Sequence, residues 1–454
     1  MSAIFAKHAL LDTGWVTNLR LEIDAGHISS LQKDSVAQPG DITADTLLPA
    51  MANLHSHAFQ RAMAGMTEHR MVGRDSFWTW RELMYRFTAH LNPDQIQTIA
   101  ALVYMEMQEA GFASVGEFHY LHHQPDGTPY DRLGELSDRI MAAAAETGIG
   151  LTHLPVLYTY SGAHEKPLEA AQKRFGNNVT RFCVLVDQAK DALSSLPKDC
   201  RLGIAPHSLR ATSPHDLAAV LKTHSAGPIH IHIAEQPKEV AEIEAELGAR
   251  PVEWLLSNAP VNSKWCLIHA THMTDRETQN MAASGAVAGL CPITEANLGD
   301  GPFNGANYLM SGGAFGIGSD SNVLISLTEE LRMLEYSQRL RDLSRNVMVR
   351  GEGSVGHSLY CGAAIGGAQA LGRSAGQIAE GMLADLVAID SRDQSLCCLK
   401  PEQLLDGFVF AARDHVVTDL WSAGRHRVKE GRHVDRDRIV ARYRTVMTHL
   451  MACL

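Results

Sequence analysis

The chain has no uninterrupted apolar run of about 18 or more residues, the length a helix needs to cross a bilayer, so no membrane partner is expected. Its start, Met1-Ser2-Ala3-Ile4-Phe5-Ala6-Lys7-His8, lacks a basic stretch followed by a long apolar one and does not read as a signal peptide; a cytoplasmic location is the expectation. The eight cysteines (Cys183, Cys200, Cys266, Cys291, Cys361, Cys397, Cys398 and Cys453) form no Cys-x-x-Cys pair. That argues against a thiolate zinc site and predicts reduced, mostly buried thiols. Positive charge is in deficit: 40 Lys and Arg against 51 Asp and Glu leave a formal charge of −11. Such a balance argues against nucleic acid as partner, and an anionic substrate then needs a local arginine cluster working against the overall field. Fixed-period repeats and low-complexity tracts are absent. Ile365-Gly366-Gly367-Ala368-Gln369-Ala370-Leu371-Gly372 has neither the Gly-x-Gly-x-x-Gly spacing nor a preceding strand. Its glycines are read as close helix packing and not as a dinucleotide site.

What is present suits an enzyme of the α/β class. At 454 residues, 45% hydrophobic and 20% charged, the chain suits a barrel of typical size plus a smaller attached unit. Leu19-Arg20-Leu21-Glu22-Ile23 alternates, turns at Asp24-Ala25-Gly26 and returns at His27-Ile28 as a hairpin. Strands are also expected at 384–390, 416–421 and 425–428. The two termini, 1–48 and 361–454, are expected to combine into a small β-sandwich with a C-terminal helix. Residues 49–360 alternate strand-like and helical stretches, the pattern of βα units. Asn92 is a good N-cap for a helix from Pro93 to about Ala110, and Gly248 a C-cap candidate for a helix over 237–247.

Chemistry concentrates in Asn53-Leu54-His55-Ser56-His57 and in His232, Glu235, His269 and Asp320, each of which ends or closely follows a short apolar run. Leu47 to Ala52 reads as a strand delivering the pair. Two histidines two positions apart on a strand project to the same side and can meet one ion. With 23 histidines in the chain the pair alone is weak evidence; the three further strand ends carrying His, His and Asp make it specific. In a parallel barrel such side chains converge at the strand C-terminal ends. His55, His57 and His232 supply nitrogen and Asp320 a carboxylate, a donor set suited to zinc; Fe2+ or another divalent ion could use it too. Glu235, three residues past His232, can reach a substrate nitrogen and shuttle a proton. Its alternative is a surface carboxylate at a helix N-terminus. His269 either neighbours the metal and orients water or is a satisfied structural histidine.

The order His-x-His, His, His, Asp resembles the amidohydrolase superfamily, its deaminase branch in particular. The segments 53–65 (Asn-Leu-His-Ser-His-Ala-Phe-Gln-Arg-Ala-Met-Ala-Gly), 116–123, 205–210 and 232–236 are similar to those of the formimidoylglutamate deiminases of histidine degradation. The resemblance spans nearly the whole chain. It implies a (β/α)8 TIM-type barrel with an appended β-sandwich, one Zn2+ per chain and a homodimer. The reaction it implies is hydrolysis of N-formimino-L-glutamate to N-formyl-L-glutamate and ammonia. By matching motif, the metal ligands fall on His55, His57, His232 and Asp320. Proton transfer falls on Glu235, His269 and Asp320, and substrate contacts on Gln60, Arg81, Tyr120, His207 and Arg210. One departure is Ala50, where the wider superfamily often has glycine; it touches a backbone turn and leaves the chemistry intact.

The substrate also makes sense on the residues alone. A formimino carbon is an amidine-like electrophile, and a glutamate derivative carries two carboxylates, for which arginine is the best bidentate partner. Arg81 and Arg210 are the candidates, with the Tyr120 hydroxyl adding a donor, although a lone arginine is more often a solvated surface group. Trp78-Thr79-Trp80, beside Arg81, reads as a packed loop or lid in preference to a stacking box. The two-metal alternative expects a bridging lysine, and Ala205-Pro206-His207-Ser208 has none. His119, His122 and His123 read as a polar loop in preference to a second metal site. Two rivals stand: a deaminase of a ring substrate such as guanine or cytosine, and a non-catalytic barrel scaffold.

Overall fold

The computed structural model describes residues 2–69 and 77–453. Two parallel sheets form the middle of the chain. One runs Met51–Ser56, Phe112–His119, Gly150–Leu157, Arg201–Leu202, with Ala205–Pro206 pairing beside Gly150–Leu157; the other runs Ile229–Ile233, Trp265–His269, Val287–Leu290, Ala314–Ile317. Helices such as Pro93–Glu109, Glu135–Thr147, Val179–Leu193 and Asp275–Ser284 separate the strands, which is the order of a TIM-barrel type α/β fold. The pairing is two arcs and not one continuous ring. Isolated parallel bridges stand at the seams, Ser56 with Asp320 and Ile204 with Ile229. At the second seam the backbones approach so closely that a Cβ on Gly227 would lie 2.1 Å from the Leu202 carbonyl oxygen. Only glycine fits there, and the strands on that side shrink to two residues each.

Both termini join one eight-stranded sheet, ordered Arg432–His433, Arg425–Lys429, Val417–Ser422, Leu386–Ile389, Ile42–Pro49, Ser2–Leu11, Gly14–Asp24, His27–Gln32. The expected sandwich of this region is, in strand pairing, a single sheet. Ile42–Pro49 lies at its middle, parallel to Ser2–Leu11 and antiparallel to Leu386–Ile389, so the N-terminal and C-terminal strands share one ladder. This also divides the stretch read as one strand from Leu47 to Ala52. Leu47 and Leu48 belong to the terminal sheet, and a new strand starts at Met51. Ala50, after the strand-ending Pro49, is the break, since the Ala50 N–H goes to Asp385 and the Met51 N–H to Gly111.

Local signals held where capping chemistry is explicit. Asn92 caps Pro93–Glu109 through a reciprocal box with Gln95, and Gly248, at φ +74°, ends Pro237–Leu247. The glycine-rich 365–372 stretch is helical to Ala370 and packs against Phe315 and Ala52. Trp78 and Trp80 lie on a helix, Phe77–Thr88, and not in a loop. The thiols are free, yet only Cys200, Cys266 and Cys291 are buried, with Cys397, Cys398 and Cys453 exposed. The exposed three lie outside the strands and helices that form the core or near a chain end, so burial does not reach them. Among the described residues no helix is long and apolar enough to cross a membrane.

Candidate active site

The strand C-terminal ends bring His55, His57, His232 and Asp320 together, with one donor atom from each lying within 4.8 Å of the others, all four residues buried. Asp320 Oδ1 is 3.2 Å from His57 Nε2 and 3.5 Å from His55 Nε2, and the Nε2 atoms of His55 and His232 are 3.0 Å apart. The backbone fixes this grouping: the His57 N–H donates to the Asp320 carbonyl and the Asp320 N–H to that of His55. His57 sits one residue past its strand and turns its ring so that Nδ1 donates to the Phe118 carbonyl at 2.9 Å. With Nδ1 engaged in this way, Nε2 is the ring nitrogen turned toward Asp320, the atom that would meet a shared cation. Burial holds His55 down to about 3 and His232 well below its ordinary range, so both offer lone pairs as well. The four residues fit a divalent ion by donor chemistry and by this convergence.

Beside them stand Glu235 and His269. Glu235 Oε1 is 3.7 Å from His269 Nε2, and Asp320 Oδ2 is 3.8 Å from the same nitrogen. Burial pushes the Glu235 carboxyl up to about 7, against the pull of the His269 ring. Burial alone lowers His269, but Glu235, Glu295 and Asp320 outweigh it and carry the imidazole to about 10. Four residues at three of these strand ends take left-handed backbone without glycine: Ala234 (φ +52°), His269 (+68°), Ala270 (+48°) and Asp320 (+45°). Such strain clusters where structure over-determines a site. At Ala234 the restraint is visible, because Glu239 accepts the N–H groups of Ala234 and Glu235 at 3.0 Å each.

The site opens into a cavity whose lining is in part cationic and aromatic. Gln60, Arg81, Tyr120, His207 and Arg210 all line it, together with Tyr85, Tyr158 and Phe175. Gln60 donates to the Tyr120 hydroxyl at 2.7 Å. Arg81 donates to the hydroxyls of Tyr85 and Tyr158. His207, on the loop after Ala205–Pro206, faces His232 with ring centroids 4.9 Å apart, outside the four-residue group. His119, His122 and His123 are buried, and His122 and His123 donate to the carbonyls of Val156 and Gly176; they are not a solvated polar loop. Every site residue named from sequence reaches this one cavity or its metal-type corner. Sequence reading missed Glu239, Glu295 and Asp300. Glu295 accepts from His269 Nδ1 at 3.2 Å, and Asp300 accepts from the Gln236 amide, its carboxyl raised to about 9 by burial and by Glu235. Glu239 and Glu295 each had a signal, as an acidic residue in the first turn of a helix that begins with proline, Pro237 and Pro292.

Comparison with known proteins follows the same lines. The amidohydrolase family model matches residues 46–427, and a model described as the formimidoylglutamate deiminase HutF N-terminal domain matches residues 1–44. The formimidoylglutamate deiminase of Pseudomonas aeruginosa is 48% identical over 454 residues, covering 99% of this chain and 100% of that protein. A 5-methylthioadenosine/S-adenosylhomocysteine deaminase of Archaeoglobus fulgidus is 25% identical over 406 residues, 87% of each chain. Among solved structures, an amidohydrolase from Brucella melitensis superposes with a TM-score of 0.96 at 47% identity, covering 99% of this chain and 100% of that one. An adenosine deaminase from Xanthomonas campestris with bound zinc gives 0.82 at 20% identity, covering 99% and 98%, a likeness of fold alone.

Proposed function

The chain belongs to the amidohydrolase family, on its formimidoylglutamate deiminase branch, and we propose on that footing that it hydrolyses N-formimino-L-glutamate to N-formyl-L-glutamate and ammonia in histidine degradation. The observation that carries the substrate is that one cavity is lined by two kinds of group, the metal-type corner with Glu235 and His269, and the arginines Arg81 and Arg210. An acyclic substrate with an amidine at one end and carboxylates at the other uses both. A purine or pyrimidine has no use for two arginines.

In this reading one zinc ion per chain is held by His55, His57, His232 and Asp320; Fe2+ or another divalent ion is the alternative. When bound, such an ion supplies Lewis-acid polarisation and lowers the pKa of a coordinated water. The chain's own groups do the rest. Arg81 and Arg210 bind the two carboxylates, with Tyr120, Gln60 and His207 fixing the pose. Water adds to the formimino carbon and one of its protons passes by way of Glu235 to the terminal nitrogen; the second, taken from the new hydroxyl by Asp320, follows as the carbon–nitrogen bond breaks, so the nitrogen leaves as ammonia with both protons of the water. The formyl oxygen comes from water. His269, between Glu235 and Asp320, orients the water and steadies both carboxylates.

The same proposal divides the chain into a terminal β-sandwich unit with a C-terminal helix (1–48 and 361–454) and a metal-dependent (β/α)8 barrel (49–360). Helix Val355–Ala370 crosses the second boundary. It also takes the protein as a cytoplasmic homodimer. The test is ammonia release from N-formimino-L-glutamate by metal-analysed protein, beside a panel of purines and pyrimidines. Wild type should turn over the formimino compound alone, Glu235→Ala should be nearly inactive, and Arg210→Ala should be weakened chiefly in KM. Full metal content without release would sink the substrate, and turnover of a ring compound would install the rival.

A further inference from the structure

Five residues of helix Phe77–Thr88 line the cavity: Phe77, Trp80, Arg81, Met84 and Tyr85, spaced as one helical face. Trp78 stands one position round from that face and is not in the cavity wall. Its indole backs the cations that are. The Arg210 guanidinium carbon lies 5.1 Å from the ring centroid and that of Arg81 5.8 Å, while the Lys238 ammonium sits at 4.4 Å. Three elements therefore meet on one ring: the 77–88 helix, the loop after Ala205–Pro206, and helix Pro237–Leu247.

Like charges gathered so closely repel, and of the three only Lys238 has an ion-pair partner, Glu242 at 3.8 Å. Among the described residues no ion pair involves Arg81 or Arg210. Arg81 donates only to phenol oxygens, and the Nε of Arg210 is buried without a partner. The negative face of an indole attracts cations, more strongly as water is excluded, and that attraction is what offsets the repulsion here. A flexible arginine side chain gives up rotamer freedom to bind an anion; one already stacked on a ring has less to lose.

We propose that Trp78 is a positioning residue for dicarboxylate capture, its ring holding the Arg81 and Arg210 guanidiniums as a preorganised pair for the two carboxylates of an acyclic substrate. The identity of that dianion rests on the substrate reading above; the pairing itself rests on the geometry. Trp78 acts through the arginines and leaves the reacting atoms untouched, so its effect belongs in binding.

The test compares metal-loaded wild type with Trp78→Leu and Trp78→Phe, reading KM and kcat for N-formimino-L-glutamate and, by calorimetry, the Kd of glutarate. Trp78→Leu should raise KM and the glutarate Kd by between about 3- and 30-fold while kcat stays within about 2-fold, and Trp78→Phe should recover most of the loss. Unchanged KM and Kd in Trp78→Leu, or a phenylalanine variant no better than leucine, overturns the proposal. Wild type that binds glutarate in a ring-dependent way but leaves N-formimino-L-glutamate intact would remove the substrate reading and keep the aromatic platform.

Discussion

Glu295 Oε1 accepts the Nδ1 hydrogen of His269 at 3.2 Å, and the same oxygen takes the Cys291 backbone N–H at 2.9 Å. One carboxylate thus ties the ring at the end of Trp265–His269 to the start of helix Pro292–Leu298, and leaves His269 Nε2 facing Glu235 and Asp320. Glu295→Gln keeps an acceptor but removes the charge and loosens the ring. Misplacement of a reacting group by about 1 Å costs on the order of 100-fold. We expect kcat to fall by about 10- to 100-fold with metal content unchanged. Steady-state kinetics with metal analysis checks this, and a variant that loses its metal instead would reassign Glu295 to the donor set.

The facing of His57 Nε2 and Asp320 Oδ1 at 3.2 Å makes metal removal a stability experiment as well as an activity one. Chelator-stripped protein should release no ammonia and recover with added Zn2+. Its melting temperature should climb as free Zn2+ rises, since a ligand at 1,000 times its Kd adds about 4.1 kcal/mol to the folded state. Thermal melts across a zinc series decide it. Activity that persists after stripping, with melts indifferent to zinc, would take the metal out of the assignment.

The barrel-type core is fastened to the terminal sheet by a buried charge network. Asp199, at the edge of Arg201–Leu202, accepts from Arg425 at 2.7 Å and from Arg373 at 3.2 Å, and Arg373 also donates to Asp385 at 2.8 Å. Burial works to raise the Asp199 carboxyl, but the two arginines outweigh it and hold the group below its ordinary 3.8. A depressed folded value means the stabilisation is fully present above pH 3.8 and is lost as pH falls through the folded pKa. Asp199→Asn should therefore lower unfolding stability by about 1–3 kcal/mol at pH 7, because Arg425 loses its carboxylate and Arg373 keeps only Asp385. The gap from wild type should narrow only in strong acid. Urea melts at pH 7, 5 and 3 follow it, and a gap that closes already at pH 5 would point to another group.

The residues legible in sequence were those whose chemistry is local to a motif. His55, His57, His232, His269 and Asp320 stand at strand ends, and strand ends can be read from short apolar runs. Arg81 and Arg210 came from resemblance to a family and not from pattern, because a lone arginine carries no local signal of what it faces. The partners of Glu295 and Asp300 were invisible for a related reason: each acts across a gap in sequence, 26 residues for Glu295 and His269, 64 for Asp300 and Gln236. The pairing order of the terminal strands was not legible because alternation shows a strand without showing its neighbour. That Ile42–Pro49 pairs with both Ser2–Leu11 and Leu386–Ile389 depends on chain ends some 340 residues apart, as in Leu47 opposite Ala388. Pro49 was the available clue that the run 47–52 is two strands.

Gly366 connects this packing to the chemistry. It lies on Val355–Ala370 so close to Ala314–Ile317 that an added Cβ would stand 2.0 Å from the Phe315 carbonyl oxygen and 2.6 Å from its carbon. Those are backbone atoms, with no flexible side chain to give way. Gly366→Ala must push the helix and the strand apart, and five residues after Phe315 that strand's extension delivers Asp320 to the metal-type corner. Overpacking of a tight core costs about 1–3 kcal/mol, so a lower melting temperature is expected. Because the displaced strand carries a donor, metal content should fall with it. Ile365→Ala, on the neighbouring exposed position, is the control and should keep both. A Gly366→Ala protein that melts lower yet retains full metal would show that the seam between Ser56 and Asp320 holds the donor against movement of the strand behind it.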